Sequence, residues 1–391
     1  AVKTLEEALE EADFVVISIL PGTFDEMESD VHTPEKYGIY QSVGDTVGLG
    51  GIIRALRTIP MFVEIGEAIK KYSPDAWVIN YTNPMALCTW TLYEAFPGIK
   101  AFGCCHEVFG TQDLLADALA DIKDIDGVER DEIETNVIGI NHFTWLNEVS
   151  YKGMDLMPIY REFVDKYYEE GYTKDGNTDE WKTNNPSAQA HRVKFDLFRR
   201  YGLIAAAGDR HLAEFVPQIY LRDPDTVAEW KYRLTKVNWR KEKQMHREEK
   251  SKKLVSGAEE TVLRRSDEEG VQQIKALLGL GQMVTNVNLP NRGQVPGLPY
   301  GAIVETNALL RRDSIRPVFA GSLPVAINNL VIRHIYNQQT TLEAAFKKEK
   351  QLAFNAFIND PMMTVGLHDA KKLFDEMLYH TKEYLPGWEI E

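Results

Sequence analysis

Over the first hundred positions, apolar residues arrive in short dense runs separated by amphipathic stretches. Leu5, Ala8, Leu9 and Ala12 fall at helical spacing, and Thr4 with Glu7 three residues on fits a capping box. Phe14-Val15-Val16-Ile17-Ser18-Ile19-Leu20 then predicts a strand closed by Pro21-Gly22. Its unbroken apolar character suits a parallel sheet covered on both faces. A polar, glycine-rich loop over 42–51 leads into a helix running from about Ile52 to Tyr72. Trp77 to Tyr81 predicts a second strand, with Thr82-Asn83-Pro84 capping the helix that follows. Lys100 to Gly103 predicts a third strand, followed by a helix over 109–121.

Strand and helix alternate three times, the pattern of an α/β doubly wound parallel sheet. Polar residues gather where the strands end, at Pro21-Gly22, at Asn80 to Asn83 and at Cys105 to Glu107. In open α/β sheets ligands bind at those carboxyl ends. A dinucleotide site also needs a glycine-rich turn directly after a strand, and no G-x-G-x-x-G is present. Gly48-Leu49-Gly50-Gly51 precedes a helix but follows a loop, a weak match to a phosphate cradle. The opening in an amphipathic helix gives the expectation that an N-terminal strand-turn-helix unit is missing.

Beyond Trp145 the pattern changes. Tyr160 to Tyr168 is aromatic and charged at helical spacing, Thr173 to Asn185 is a polar loop, and 191–201 predicts a helix ended by Gly202. Asp209, Arg210, His211 and Glu214 then fall within six positions. A surface turn with a capping aspartate and a buried functional cluster both fit that stretch. Ser266 with Glu269 predicts the cap of a helix running through Leu278, Met283–Leu289 and Ala302–Glu305 read as paired strands, and the chain from Val325 onward is helical. Two parts follow: 1–145, the remainder of a nucleotide-binding domain, and 146–391, a mixed, mainly helical domain for catalysis, substrate and oligomerisation.

Composition narrows the function. A net charge of −15 makes nucleic acid an unsuitable partner, because a phosphate backbone would meet a repulsive field. The one basic run, Lys231 to Lys253, is interleaved with Glu242, Glu248 and Glu249 and reads as the solvated face of a long helix. An anionic substrate would therefore be held by local arginines. No apolar run suits a membrane span and no signal peptide opens the chain. The three cysteines, two of them adjacent, point to a reducing cytoplasm rather than a disulfide framework.

Candidate chemistry centres on Cys104-Cys105-His106-Glu107 and on Asn141-His142. Cys105 and His142 would offer one soft sulfur and one imidazole to a transition metal, leaving positions open for substrate. Buried, unreactive cysteines are the competing reading.

Four motifs in order, Val78 to Met85, Gly103 to Val108, Gly139 to Phe143 and Gly208 to Leu212, resemble those of glycoside hydrolase family 4. Cys105-His106-Glu107-Val108, Arg210 to Phe215 and Asn288-Leu289-Pro290-Asn291 are closest to its α-galacturonidase branch. The resemblance implies a Rossmann-like fold near lactate and malate dehydrogenases, bound NAD and a divalent metal such as Mn2+. It also implies a mechanism outside the two-carboxylate scheme. In that mechanism the sugar C3 hydroxyl is oxidised, C2 is deprotonated, the leaving group is eliminated, water adds and C3 is reduced again.

By the same resemblance Cys105 and His142 hold the metal, Asp209 is the C2 base and His106 protonates the leaving oxygen. Asn83, Pro21 and Gly22 contact the cofactor. Asn141 meets sugar hydroxyls, Arg210 with Arg54 behind it holds the C6 carboxylate, and Glu107 orients a neighbour or meets a hydroxyl. The partner is then a small α-linked uronide, and the assembly a homo-oligomer, dimer or tetramer. An α-glucuronidase or α-galactosidase of the same family, a 2-hydroxy acid dehydrogenase and a non-catalytic sugar-binding fragment are the alternatives.

Overall fold

A computed structural model describes residues 1–183, 185, 188–262 and 268–390. Its strands, in chain order, are β1 (Phe14–Ile17), β2 (Trp77–Asn80), β3 (Lys100–Gly103), β4 (Ile133–Ile140), β5 (Phe143–Tyr151), β6 (Met154–Asp155), β7 (Ile204–Ala205), β8 (Met283–Pro290), β9 (Ile303–Arg311) and β10 (Ser314–Pro317). The first sheet has the order β1-β2-β3-β8-β9-β10. β1, β2 and β3 are parallel, as the apolar runs predict, and β8 joins β3 antiparallel through Gly103 opposite Asn288. The second sheet has the order β4-β5-β6, with β7 also paired to β5, at Trp145 and Leu146.

The architecture is the expected Rossmann-like α/β layer, but the boundary at 145 does not divide the two sheets. Residues 283–317 return to complete the first sheet, because β3 offers a free edge and β8 and β9 form a long antiparallel ladder that can cover it. The predicted pairing of 283–289 with 302–305 holds within that ladder. The Ser266 cap lies outside the described residues; the helix itself runs Gly270–Leu277 with Glu269 at its N-cap.

The long helix begins earlier than the sequence suggests, spanning Gly48–Tyr72, with every residue from Gly48 to Ile59 buried. Its glycines serve packing rather than phosphate. A Cβ on Gly50 would sit 2.7 Å from the Asp30 carbonyl oxygen, and one on Gly51 would sit 2.8 Å from the Thr46 carbonyl carbon. Only glycine lets the helix start press so closely against the preceding loop. Gly103 does the same at the end of β3, where a Cβ would lie 2.4 Å from Met85 Sδ. Pro84, not Asn83, occupies the N-cap of the Met85–Ala95 helix.

A buried ion pair braces this layer. Arg57 meets Asp30 through two nitrogens, at 3.0 and 2.5 Å, and its Nε donates to the Pro21 carbonyl at 3.0 Å. Breaking such a pair from one side costs about 3–5 kcal/mol, since the other charge is left buried alone.

Candidate active site

Three strand ends and five more distant segments converge on a cavity of about 680 Å³ at the carboxyl edge of β1–β3. A pocket of this size suits a small ligand or a sugar ring with part of a cofactor. Its floor is a cluster of Asp45, His142 and His211, whose donor atoms all lie within 4.8 Å of one another.

Each member is held from behind. Asp45 rides on the 42–47 loop, which Glu214 pins by accepting the N–H groups of Val43 and Gly44 at 2.7 and 2.8 Å. Gln41 and Asp360 fix the loop's far end by accepting from Gly50 and Gly48 at 2.8 and 3.1 Å. His142 sits in the two-residue turn between β4 and β5 with φ +65°, a conformation that costs a non-glycine residue energy and recurs at functional sites. The Thr46 hydroxyl donates to Asp45 Oδ1 at 2.8 Å, so the contact between Thr46 Oγ1 and His142 Nδ1 at 2.7 Å must carry the imidazole proton. That fixes the tautomer and leaves His142 Nε2 as a lone pair. The His211 ring lies 4.0 Å from that of His142, tilted by 35°, and its Nδ1 is buried without a partner. Glu107 completes the set, 3.5 Å from His211 Nε2 and accepting the Gly208 N–H at 2.7 Å.

Electrostatics agree with a cation-binding floor. Burial alone would raise the Asp45 carboxyl, but His142, His211 and Arg54 outweigh it and hold the group well below the carboxylate range. Burial works against the Glu107 carboxylate too, and His211, His142 and the Gly208 N–H bring it down to about 2. Burial lowers both imidazoles, His211 to about 3, while the Asp45 and Glu107 carboxylates pull the other way. The Cys105 thiol is pushed well up by burial and then by Glu305 and Glu107, a balance a divalent cation beside it would invert.

The structure sorts the predicted residues. Cys105, His106, Glu107, Asn83, His142 and Arg210 line the cavity. Cys105 faces the same space as His142 but stands outside the tight three-residue cluster. His106 is at the mouth, its side chain 63% exposed and its Nδ1 3.1 Å from Glu268 Oε1. Asn83 Oδ1 is buried with no partner, an acceptor open to a hydroxyl or amide donor.

Five of the predicted residues fall outside the cavity lining. Asp209 does not line the cavity; it begins a buried helix, Asp209–Phe215, rather than a surface turn. Its carboxylate accepts backbone N–H groups at the start of the Arg192–Tyr201 helix, including Lys194 N at 3.1 Å, so it caps that helix, while its Oδ2 is buried without a partner. Asn141 donates to Glu305 at 3.0 Å and hydrogen-bonds Cys105, supporting the thiol rather than touching sugar. Arg54 is enclosed in the Gly48–Tyr72 helix and donates to the Asn83 carbonyl at 3.0 Å. Pro21 and Gly22 lie against Arg57, outside the cavity.

Sequence reasoning missed Asp45, the role of His211 and Arg240. Asp45 carried no periodic signal, only its place in a glycine-rich loop ahead of a helix. Arg240 belongs to the basic run, yet it lines the same cavity as Arg210, with its Nε buried and unpartnered.

Comparison with known proteins follows the same outline. The family 4 glycosyl hydrolase model matches residues 1–121 and its C-terminal domain model matches 137–363, so the chain belongs to family 4 of the glycosyl hydrolases. It is similar to a protein named alpha-galacturonidase from Thermoanaerobacterium saccharolyticum, 65% identical over 100% of this chain and 84% of that one. A Bacillus subtilis alpha-galacturonidase is 52% identical over 97% of this chain and 83% of its own. Among solved structures, the glucosidase lplD of Bacillus subtilis superposes with a TM-score of 0.93 at 52% identity, covering 96% of this chain and 86% of that one.

Proposed function

We propose that this protein is an α-galacturonidase that uses bound NAD and a divalent cation, Mn2+ among them, to release a uronic acid from a small α-linked uronide. The observation that carries the substrate class is a pair of guanidiniums, Arg210 and Arg240, facing one cavity in a protein of net charge −15. A C6 carboxylate is the natural partner for two such groups, since charge-assisted, bidentate contacts are strong and directional. The curated relatives at 52–65% identity, all named for galacturonide cleavage, agree.

The residues present fit both absent groups. Asp45, His142 Nε2 and His211 Nδ1 form a ready donor set, with Cys105 at its side. Ser18, Tyr81 and the open acceptor of Asn83, with the apolar Val16, Ile79 and Ile274, also line the cavity and would hold a nicotinamide cofactor. When bound, these groups supply a hydride acceptor for a sugar hydroxyl carbon and a positive charge for the adjacent oxygens.

The chain's own side chains do the rest. Arg210 and Arg240 orient the ring by its carboxylate, Asn83 accepts from a hydroxyl, and Glu107 holds His211 in place. His106, at the mouth, donates a proton to the departing oxygen. All three cysteines are free, and Cys105 at the cavity supports a reducing cytoplasm as the compartment. Among the described residues no helix is long and apolar enough to cross a membrane. The exposed side chains of Phe319, Val325 and Leu367 give a homo-oligomer apolar surface to bury.

Incubation with an α-D-galacturonide, NAD+, Mn2+ and thiol in heavy water tests this reading. Hydrolysis with deuterium entering C2 is expected. Hydrolysis that persists after NAD+ and metal are removed, with no exchange at C2, would overturn it.

A further inference from the structure

The ladder of β8 and β9 carries a row of polar side chains where a core is expected. Asn286 and Asn288 on β8 pair with Asn307 and Glu305 on β9, so all four stand on one face of the sheet. Asn286, Asn288 and Glu305 are buried there. Burying amides beside a carboxylate is costly unless each finds a partner.

The partners lead to the active site. Glu305 Oε1 accepts from Asn286 Nδ2 at 2.7 Å, and its Oε2 accepts from Asn141 Nδ2 at 3.0 Å. Asn286 Nδ2 also donates to the Cys105 carbonyl at 3.2 Å, while Asn141 hydrogen-bonds the Cys105 thiol. Asn288 lies in register between Glu305 on β9 and Gly103 on β3, two residues before Cys105. One carboxylate therefore ties together the two turns that bring the predicted metal donors. Cys105 follows β3, and Asn141 precedes His142 between β4 and β5. Glu305 itself stays outside the cavity lining. Only a carboxylate fills this place well, because two amide donors need two acceptor oxygens, and glutamine would turn its own N–H groups on one of them.

We infer that Glu305 is a positioning residue for the metal centre. Through Asn286 and Asn141 it clamps the Cys105 turn to the His142 turn and keeps the sulfur facing the Asp45, His142 and His211 cluster. This rests on the proposed reading of Cys105 as a ligand and adds the group that stands behind it.

The full chain with NAD+ bound is titrated with Co2+, whose bond to a thiolate gives a near-ultraviolet charge-transfer band, and separately with Mn2+. For Glu305→Gln the Mn2+ dissociation constant is expected to rise roughly 10- to 100-fold. The thiolate band should lose most of its intensity at saturating Co2+, while the visible d–d bands from the remaining donors persist. Asn286→Ala cuts one arm of the clamp and should raise the dissociation constant roughly three- to tenfold. The double variant should match Glu305→Gln within about twofold, since both act through one path. An undiminished thiolate band with wild-type Mn2+ affinity in Glu305→Gln overturns the assignment. So does joint loss of thiolate and d–d bands, or full additivity of the two variants. Should Glu305→Gln fail to fold, an unchanged band and affinity in Asn286→Ala overturn it. A wild type that binds Co2+ without a thiolate band removes Cys105 from the metal site, and the clamp's role falls with that reading.

Discussion

At the floor of the cavity, Asp45, Glu107, His142 and His211 come from four separate segments and are nearly withdrawn from water. At its rim, Arg240, Lys243 and Arg247 come from one helix at regular spacing; Lys243 and Arg247 are exposed and Arg240 is half-buried. The floor depends on what stands behind each side chain, because a buried charge or imidazole must find its partners within the protein. Thr46, Glu214 and Asp360 supply those partners. The rim needs little support, since helix geometry alone aligns it and solvent tolerates its charges. Chemistry is therefore placed where it cannot shift, and recognition where it can adapt.

The largest expected effect comes from breaking the floor. Replacing His142 with Ala removes a predicted ligand, and turnover of an α-D-galacturonide is expected to drop on the order of a thousandfold or more. Stopped assays with purified variant and excess Mn2+ check this; near-normal turnover would place the metal elsewhere. At the junction of floor and rim, Arg240→Met should lower kcat/KM for the galacturonide by roughly 10- to 100-fold and leave that for a neutral α-galactoside little changed. Thr46→Val tests support rather than contact: the tautomer relay to His142 is lost, and the Mn2+ concentration for half-maximal activity should rise roughly 10- to 100-fold, with rate restored by excess metal.

The smallest effect on chemistry is at Asp360, behind the floor. Burial raises its carboxyl to about 6, so the folded state binds the proton more tightly than the unfolded chain does. Stability is then lost as pH rises from the ordinary value near 4 toward 6, a loss of about 2–3 kcal/mol. Asp360→Asn removes that titration. The variant's stability relative to wild type should climb between pH 4 and 7 in urea melts, with kcat/KM unchanged.

Much of this was legible in the chain. Continuous apolar runs marked β1, β2 and β3; β2 and β3 are largely buried, whereas β1, at the sheet's edge, leaves Val16 exposed. The ladder of β8 and β9 was legible too, but not its docking on β3, which rests on one pairing between residues far apart in sequence. The Cys105 and His142 motifs marked the cavity correctly. The cap made by Asp209 was not legible, because a buried aspartate beside basic neighbours looks the same in sequence whether it faces a substrate or caps a helix. Arg240 was hidden for the opposite reason: a charged helix face carries no mark of what it faces. Asp45 could be recognised only once the loop was folded against Glu214.

The central claim is that the paired guanidiniums of Arg210 and Arg240 select a uronide. The direct measurement is the ratio of kcat/KM for p-nitrophenyl α-D-galacturonide to that for p-nitrophenyl α-D-galactoside, in wild type and in Arg240→Met. The account predicts a wild-type ratio on the order of a hundred or more, falling at least tenfold in the variant. A wild-type ratio below one, or a ratio that the variant leaves unchanged, would contradict it.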